Sequence, residues 1–107
     1  GPDPEMRVAA YRQLASARTE KEIKAIEKDW RDRFGRFPEP VKNLITTNRL
    51  RVVASSKGVQ MVEISKDKLM LQRNGDYILP PGGKFPRLSS QHTKDKLFQA
   101  VELLKTL

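Results

Sequence analysis

Between Thr19 and Gly35 the chain specifies a helix at both ends and along one side, and everything else must be built around it. Thr19 followed three residues later by Glu22 forms a capping box. The hydroxyl accepts from one backbone N–H and the carboxylate reaches back to another, so donors left free at a helix start are satisfied. Ile23, Ile26, Trp30 and Phe34 then recur at three- and four-residue steps, which gathers them into one apolar stripe. Gly35 ends the run, because glycine accepts the left-handed backbone that closes a helix. A helix is therefore predicted over 20–34, and its stripe requires apolar partners elsewhere in the chain.

Those partners are supplied on both sides. Met6, Ala9, Ala10, Tyr11, Leu14 and Ala17 repeat at helical spacing and predict a helix over 6–17. Residues 1–5 are set apart, with Gly1-Pro2 reading as the remnant of a cleaved expression tag. Phe37-Pro38-Glu39-Pro40 forces extended backbone, after which Pro40 suits the first turn of a third helix over 40–57. Val41, Leu44, Ile45, Asn48 and Val52 share one face of it, and Gly58 is its stop. The pattern then changes to short Val-, Ile-, Leu- and Met-rich segments at 59–65, 68–73 and 76–79, compatible with strands. Asn74-Gly75 is a strong hairpin signal, because a type I′ turn needs positive φ at both central positions. Pro80-Pro81-Gly82-Gly83 opens a loop to about Ser90. A last helix over 93–106 puts Leu97, Val101 and Leu104 inward with Phe98 flanking. Three helices, a small antiparallel meander and a closing helix make an α+β domain over 6–107, with no βαβ unit, repeat or linker.

At 107 residues one core is the natural expectation. No run of about 18 apolar residues exists for a membrane span, and the N-terminus lacks the basic-then-apolar pattern of a secretory signal. With no cysteine there is neither a disulfide nor a thiolate metal site, and a cytoplasmic setting is expected. The net charge of +8 invites a nucleic-acid reading, since neutralising phosphates releases counterions. The cations are spread along the chain, however, with no block of five like charges. The seven aromatic residues fall mostly at core-like positions, which leaves little for base stacking. Weak nonspecific DNA binding is compatible with this composition; a dedicated basic DNA-binding accessory domain is the second reading.

No catalytic constellation emerges. His92 is the single histidine, beside Ser89 and Ser90, but a triad needs its base held by a third group across the fold. A surface or capping role fits it better, and one histidine without cysteine leaves zinc no ligand set. Gly82-Gly83-Lys84 fails as a phosphate loop: the first glycine is misplaced, Phe85 follows the lysine, and Pro86 blocks a helix. Asp29 and Asp32, three apart among Lys28, Arg31 and Arg33, read as solvated ion-pair partners. Trp30, Phe34 and Phe37 are assigned to the core rather than to an exposed anchor for a partner. Arg49 and Arg51 are assigned to a solvated or ion-paired face rather than to phosphate contacts. The expectation is a non-enzymatic chain with no catalytic, cofactor or metal residues.

Tyr11-Arg12-Gln13-Leu14-Ala15-Ser16-Ala17, then Asp32-Arg33-Phe34-Gly35-x-x-Pro38, then Arg49-Leu50-Arg51 and Ala54-x-x-x-Gly58 resemble, in order and spacing, a known family domain. It is the C-terminal (TRCF) domain of bacterial transcription-repair coupling factors, the Mfd family. The resemblance covers about residues 6–64. Asp32, Arg33, Phe34, Gly35 and Pro38 carry the signature, and their first explanation is structural: an acid and a base hold the Phe34-Gly35 turn against the next helix.

The resemblance implies a parent that is an ATP-driven DNA translocase, displacing stalled RNA polymerase and recruiting UvrA for excision repair. RNA polymerase and DNA would be engaged by other domains. The C-terminal domain would be an autoinhibitory clamp, packed within the same chain on the parent's N-terminal UvrB-like module and hiding the surface that UvrA uses. Tethering gives such a clamp a high effective concentration, so weak contacts suffice. In the family the hidden surface is basic, so an acidic face is expected here. Glu20, Glu22, Glu27, Asp29 and Asp32 are the candidates, with an ordinary solvated helix face as the competing reading.

Overall fold

The computed structural model describes residues 4–107. Its elements are α1 (Pro4–Ser16), α2 (Glu20–Phe34), α3 (Glu39–Ser56), β1 (Met61–Ser65), β2 (Lys68–Arg73), β3 (Asp76–Tyr77) and α4 (Thr93–Lys105). The expected α+β order is observed. The elements differ from expectation mainly at their ends. Pro4 and Glu5, set apart above with residues 1–5, instead form the first turn of α1, where proline's missing N–H is no loss. The Gly1-Pro2 tag assignment lies outside the described residues. The first strand starts at Met61 rather than at 59, because Val59 belongs to the end of α3.

That end is a Schellman motif. Gly58 has φ +71°, its N–H donates to the Ser55 carbonyl, and the Val59 N–H donates to the Ala54 carbonyl at 2.9 Å. Val59 and Ala54 are both buried in the same apolar cluster. At the start of α2, Thr19 Oγ1 accepts from the Glu22 N–H at 3.1 Å. Glu22 reaches one residue further than expected and accepts from the Arg18 N–H at 2.9 Å. Gly35 closes α2 with φ 77° and ψ −145°, its N–H donating to the Arg31 carbonyl.

β1, β2 and β3 form an antiparallel meander in that order. Val62 faces Leu71 and Ile64 faces Leu69 on the inner side. The β2–β3 turn is Asn74-Gly75, and both residues have positive φ. The third strand stops at Tyr77 rather than 79, because only the Ile78 N–H continues the pairing, to the Leu71 carbonyl. Further along, β2's free side is covered by the returning loop: Leu69 N–H donates to the Pro86 carbonyl and Leu88 N–H to the Asp67 carbonyl. This return buries Leu88, which sequence periodicity did not mark.

There are two apolar clusters, and α3 belongs to both. Ile45 and Val52 meet Leu14, Ala17, Ile23, Ile26, Trp30 and Phe37 on one flank. Leu50, Val53 and Ala54 meet Val59, the sheet residues Leu69 and Leu71, Leu88, and Ala100, Val101 and Leu104 of α4 on the other. Each fully buried leucine or isoleucine contributes roughly 1.5–3 kcal/mol. Side-by-side clusters make the molecule long. Its extents are 48 × 28 × 21 Å and its radius of gyration is 15.1 Å, against roughly 13 Å for a rounder chain of this length.

Candidate docking faces

The acidic candidates on α2 fall into two groups once α3 and α4 are in place. Glu20, at the first turn, lies 3.3 Å from Lys105 Nζ and 4.0 Å from Arg49 Nε. Glu27 binds Arg49 through one oxygen and Arg31 through the other, each at 3.4 Å. Arg49, only 22% exposed, thus bridges α2 to α3 between two carboxylates. Glu22 is a cap. These three acids are used in holding the fold. Asp29 makes only an exposed i,i+4 pair with Arg33 at 3.4 Å, of the sort that contributes little. Asp32 is exposed and has no hydrogen bond or ion pair among the described residues, which departs from the ion-pair role expected of it.

Arg51 also serves the fold. Its guanidinium donates to the Leu14 carbonyl at 3.2 Å and to Asn48 Oδ1, tying the end of α1 to α3. Around the signature turn, Trp30 and Phe37 are buried and meet edge to face with centroids 6.5 Å apart. Phe34 is a correction. The stripe of α2 predicts it in the core, but it is 45% exposed, with the Arg33 guanidinium 5.0 Å from its ring centroid. The stripe of α2 outruns its neighbours at that point, so nothing covers the last apolar residue. Among the described residues Asp32 makes no hydrogen bond or ion pair across the turn and Arg33 only pairs within α2, with Phe34 and Asp29, whereas the Arg31 guanidinium lies 5.3 Å from the Phe37 ring centroid.

The wider expectation for the aromatics is corrected in the same way. Tyr11, Phe34, Tyr77 and Phe98 are exposed, and only Trp30 and Phe37 are buried. Of the predicted first stripe, Met6 and Tyr11 of α1 are exposed, while Leu14 and, just past the helix, Ala17 are buried. The helix therefore touches the rest of the molecule near its C-terminal end and stands away at its start. The gap is a groove of about 1000 Å³ lined by α1 residues from Met6 to Gln13 and by Trp30 to Val41 around the signature turn.

Several basic residues lie at the far end of the sheet. Lys68 and Arg87 pair through an isolated backbone bridge, Lys96 Nζ donates to the Lys66 carbonyl at 3.3 Å, and Arg87 binds Asp67. The Arg87 hydrogen bond holds the Asp67 carboxyl below its ordinary pKa. His92 precedes α4 without a side-chain cap; its backbone N–H donates to Ser90 Oγ, while Ser89 Oγ accepts from Gln99. Gly82-Gly83-Lys84 lies in a turn, not at a helix start. Among the described residues no set of three or more acids or histidines is gathered as a metal site, and no helix is long and apolar enough to cross a membrane.

These features define a class: a small α+β domain whose candidate surfaces are side-chain faces and an open groove. The chain belongs to the TRCF domain family, whose model matches residues 2–80. It is 39% identical over 62 residues, or 58% of its length, to a transcription-repair-coupling factor of Escherichia coli, covering 5% of that protein. It is 35% identical over 54 residues to that of Mycobacterium bovis, half of this chain and 4% of the relative. Over 101 residues, 89% of this chain, it is 27% identical to that of Buchnera aphidicola, covering 12% of it. The chain thus spans only a small part of these curated relatives.

Proposed function

We propose that this chain is a non-catalytic regulatory domain of a cytoplasmic transcription-repair coupling factor. It packs on the parent's N-terminal UvrB-like module and masks the surface that UvrA would use in nucleotide excision repair. The observation that carries this reading is the division among the α2 acids. Glu20, Glu22 and Glu27 are committed inside the fold, whereas Asp32, with Asp29 beside it, remains available to a basic surface. The docking face proposed here is therefore narrower than the five acids: Asp29 and Asp32. A few solvent-screened charges give register and fast exchange rather than great affinity, which suits a tethered clamp that must release. The parent's translocase activity and its contacts with RNA polymerase and DNA belong to other domains.

The test is a fluorescence-anisotropy titration of the labelled domain with the parent's N-terminal module. Saturable binding, displacement by UvrA, and a loss of about tenfold or more in affinity, ~1.4 kcal/mol, in Asp29→Lys/Asp32→Lys are expected. Charge reversal that leaves docking unchanged dismisses this face. The end of the sheet that carries Lys66, Lys68, Arg87 and Lys96, brought near by backbone pairing and by the Lys96 amine on the Lys66 carbonyl, favours a second reading as a DNA-binding accessory surface. That reading requires a duplex affinity that falls steeply with salt and weakens in Lys66→Glu/Lys96→Glu.

A further inference from the structure

The groove between α1 and the signature turn lies on a different side of α2 from Asp32, although it adjoins Asp29 through the groove-lining Arg33. From Trp30, which lines the groove, to Asp32 is a rotation of roughly 200° about the helix, at about 100° per residue. Asp32 therefore projects on the far side of α2. We propose that the groove is a docking site for an acidic segment of a partner protein that inserts a large apolar side chain.

The shape comes from how α1 is attached. Leu14 and Ala17 are buried in the core at the C-terminal end of α1, Arg51 ties that end to α3 through the Leu14 carbonyl, and residues 4–9 are all exposed. Ala9 and Ala10 present small side chains to the gap, so Phe34 and half-buried Val41 opposite are left partly open above the buried rings of Trp30 and Phe37. A volume of about 1000 Å³ stands at the upper end of the range for small-molecule sites, roughly 300–1,000 Å³. Water in such an apolar cleft is replaced favourably by an apolar side chain. The surface is also unlike the scattered single apolar residues normal for a protein exterior, because Tyr11 and Phe34 border one depression.

Charge selects the occupant. Among the described residues the groove is lined by Arg7, Arg33 and Arg36 and by no carboxylate. Arg7 and Arg36 have no hydrogen bond or ion pair among the described residues, while Arg33 is shared with exposed Asp29 and the Phe34 ring. Arginines bordering aromatic and aliphatic surface are typical of the residues that dominate protein interfaces. A basic partner is repelled, and a purely apolar one leaves the guanidinium groups without partners at the rim. An acidic, apolar-anchored segment satisfies both.

The chain carries its own reporter, since Trp30 is its single tryptophan and lines the groove. The probe is a tryptophan-free 16-residue amphipathic peptide with Leu and Phe at three- and four-residue spacing and Asp or Glu elsewhere. Its twin replaces every acid by lysine. The acidic peptide is expected to saturate a change in Trp30 emission and to shift the amide signals of Met6–Gln13 and Trp30–Val41. Arg7→Glu/Arg36→Glu, both changes at exposed positions, is expected to weaken it at least tenfold with an unchanged circular dichroism spectrum. Asp32→Lys is expected to leave peptide affinity within twofold, so failure here is distinguishable from failure of the acidic clamp. Equal binding of the lysine twin, no response to the acidic peptide at millimolar concentration, or insensitivity to the arginine changes each overturns the proposal. So does self-association that shifts the same signals, which would make a second copy the occupant.

Discussion

Replacing Gly35 by alanine and, separately, Gly58 by alanine puts the same methyl group at two helix ends with different backbone geometry. Neither replacement meets a steric obstacle. A Cβ at Gly35 has nothing within 4 Å, and one at Gly58 makes ordinary contact with Arg73 Nε at 3.6 Å. The cost is then conformational. At φ 77° and ψ −145° Gly35 occupies a region that is essentially glycine's alone, where strain amounts to about 1–3 kcal/mol. Gly58, at φ +71° in a Schellman motif, faces the left-handed penalty of about 1–2 kcal/mol. Alanine also stiffens the unfolded chain, which offsets about 0.4–1 kcal/mol at each site. Gly35→Ala is therefore expected to destabilise by about 1.3 kcal/mol and Gly58→Ala by about 0.8. In a domain near this size each kcal/mol lowers Tm by roughly 4–8 °C. Urea unfolding followed by Trp30 fluorescence measures both. Asparagine, which tolerates the left-handed region, should restore most of the loss at Gly58 and little at Gly35. A Gly58→Ala loss equal to or above that of Gly35→Ala, or rescue by asparagine at both sites, refutes the reasoning.

Arg51→Ala removes the tie to the Leu14 carbonyl and should destabilise by about 1.5–3 kcal/mol, the range for a charged hydrogen bond. Amide exchange should quicken in α1 far more than in α4. Glu27→Ala leaves half-buried Arg49 without its nearest acid and should lower stability by about 1–2 kcal/mol, whereas Asp32→Ala should stay within about 0.5 kcal/mol; chemical denaturation compares them. The Asp67 carboxyl should titrate below a free aspartate by NMR and return upward in Arg87→Ala. Its folded pKa is depressed, so the contact's stabilisation is present above the unfolded pKa and is lost as pH falls through the folded value.

The local rules were legible. The Thr19–Glu22 cap, the Gly35 and Gly58 stops and the Asn74-Gly75 turn depend on residues within a few positions of one another, and each appears where the sequence put it. What could not be read depends on distant chain. The stripe of α2 marks Phe34 as apolar but does not say that α1 stands away from it. Glu20 and Glu27 look like solvated acids until Arg49 and Lys105 arrive from α3 and α4. Leu88 sits in a proline- and glycine-rich loop without periodicity, and its burial follows from hydrogen bonds to Asp67 and Leu69 made by the returning backbone. The groove is the sum of several such misses, since each exposed aromatic or aliphatic wall residue had been placed inside.

Helix α3 supports two cores on opposite flanks, and this bears on how such a domain can change over generations. Leu50, Val53 and Ala54 need an apolar cover on the second flank, while Ile45 and Val52 serve the first. The family match ends at residue 80, short of α4, although α4 supplies Ala100, Val101 and Leu104 to that flank. What this flank asks of α4 is apolar side chains at those three places. Grafting the last segment of a relative onto this chain should succeed when it offers three small-to-medium apolar side chains at helical spacing, and fail when it brings a bulky residue opposite Ala54.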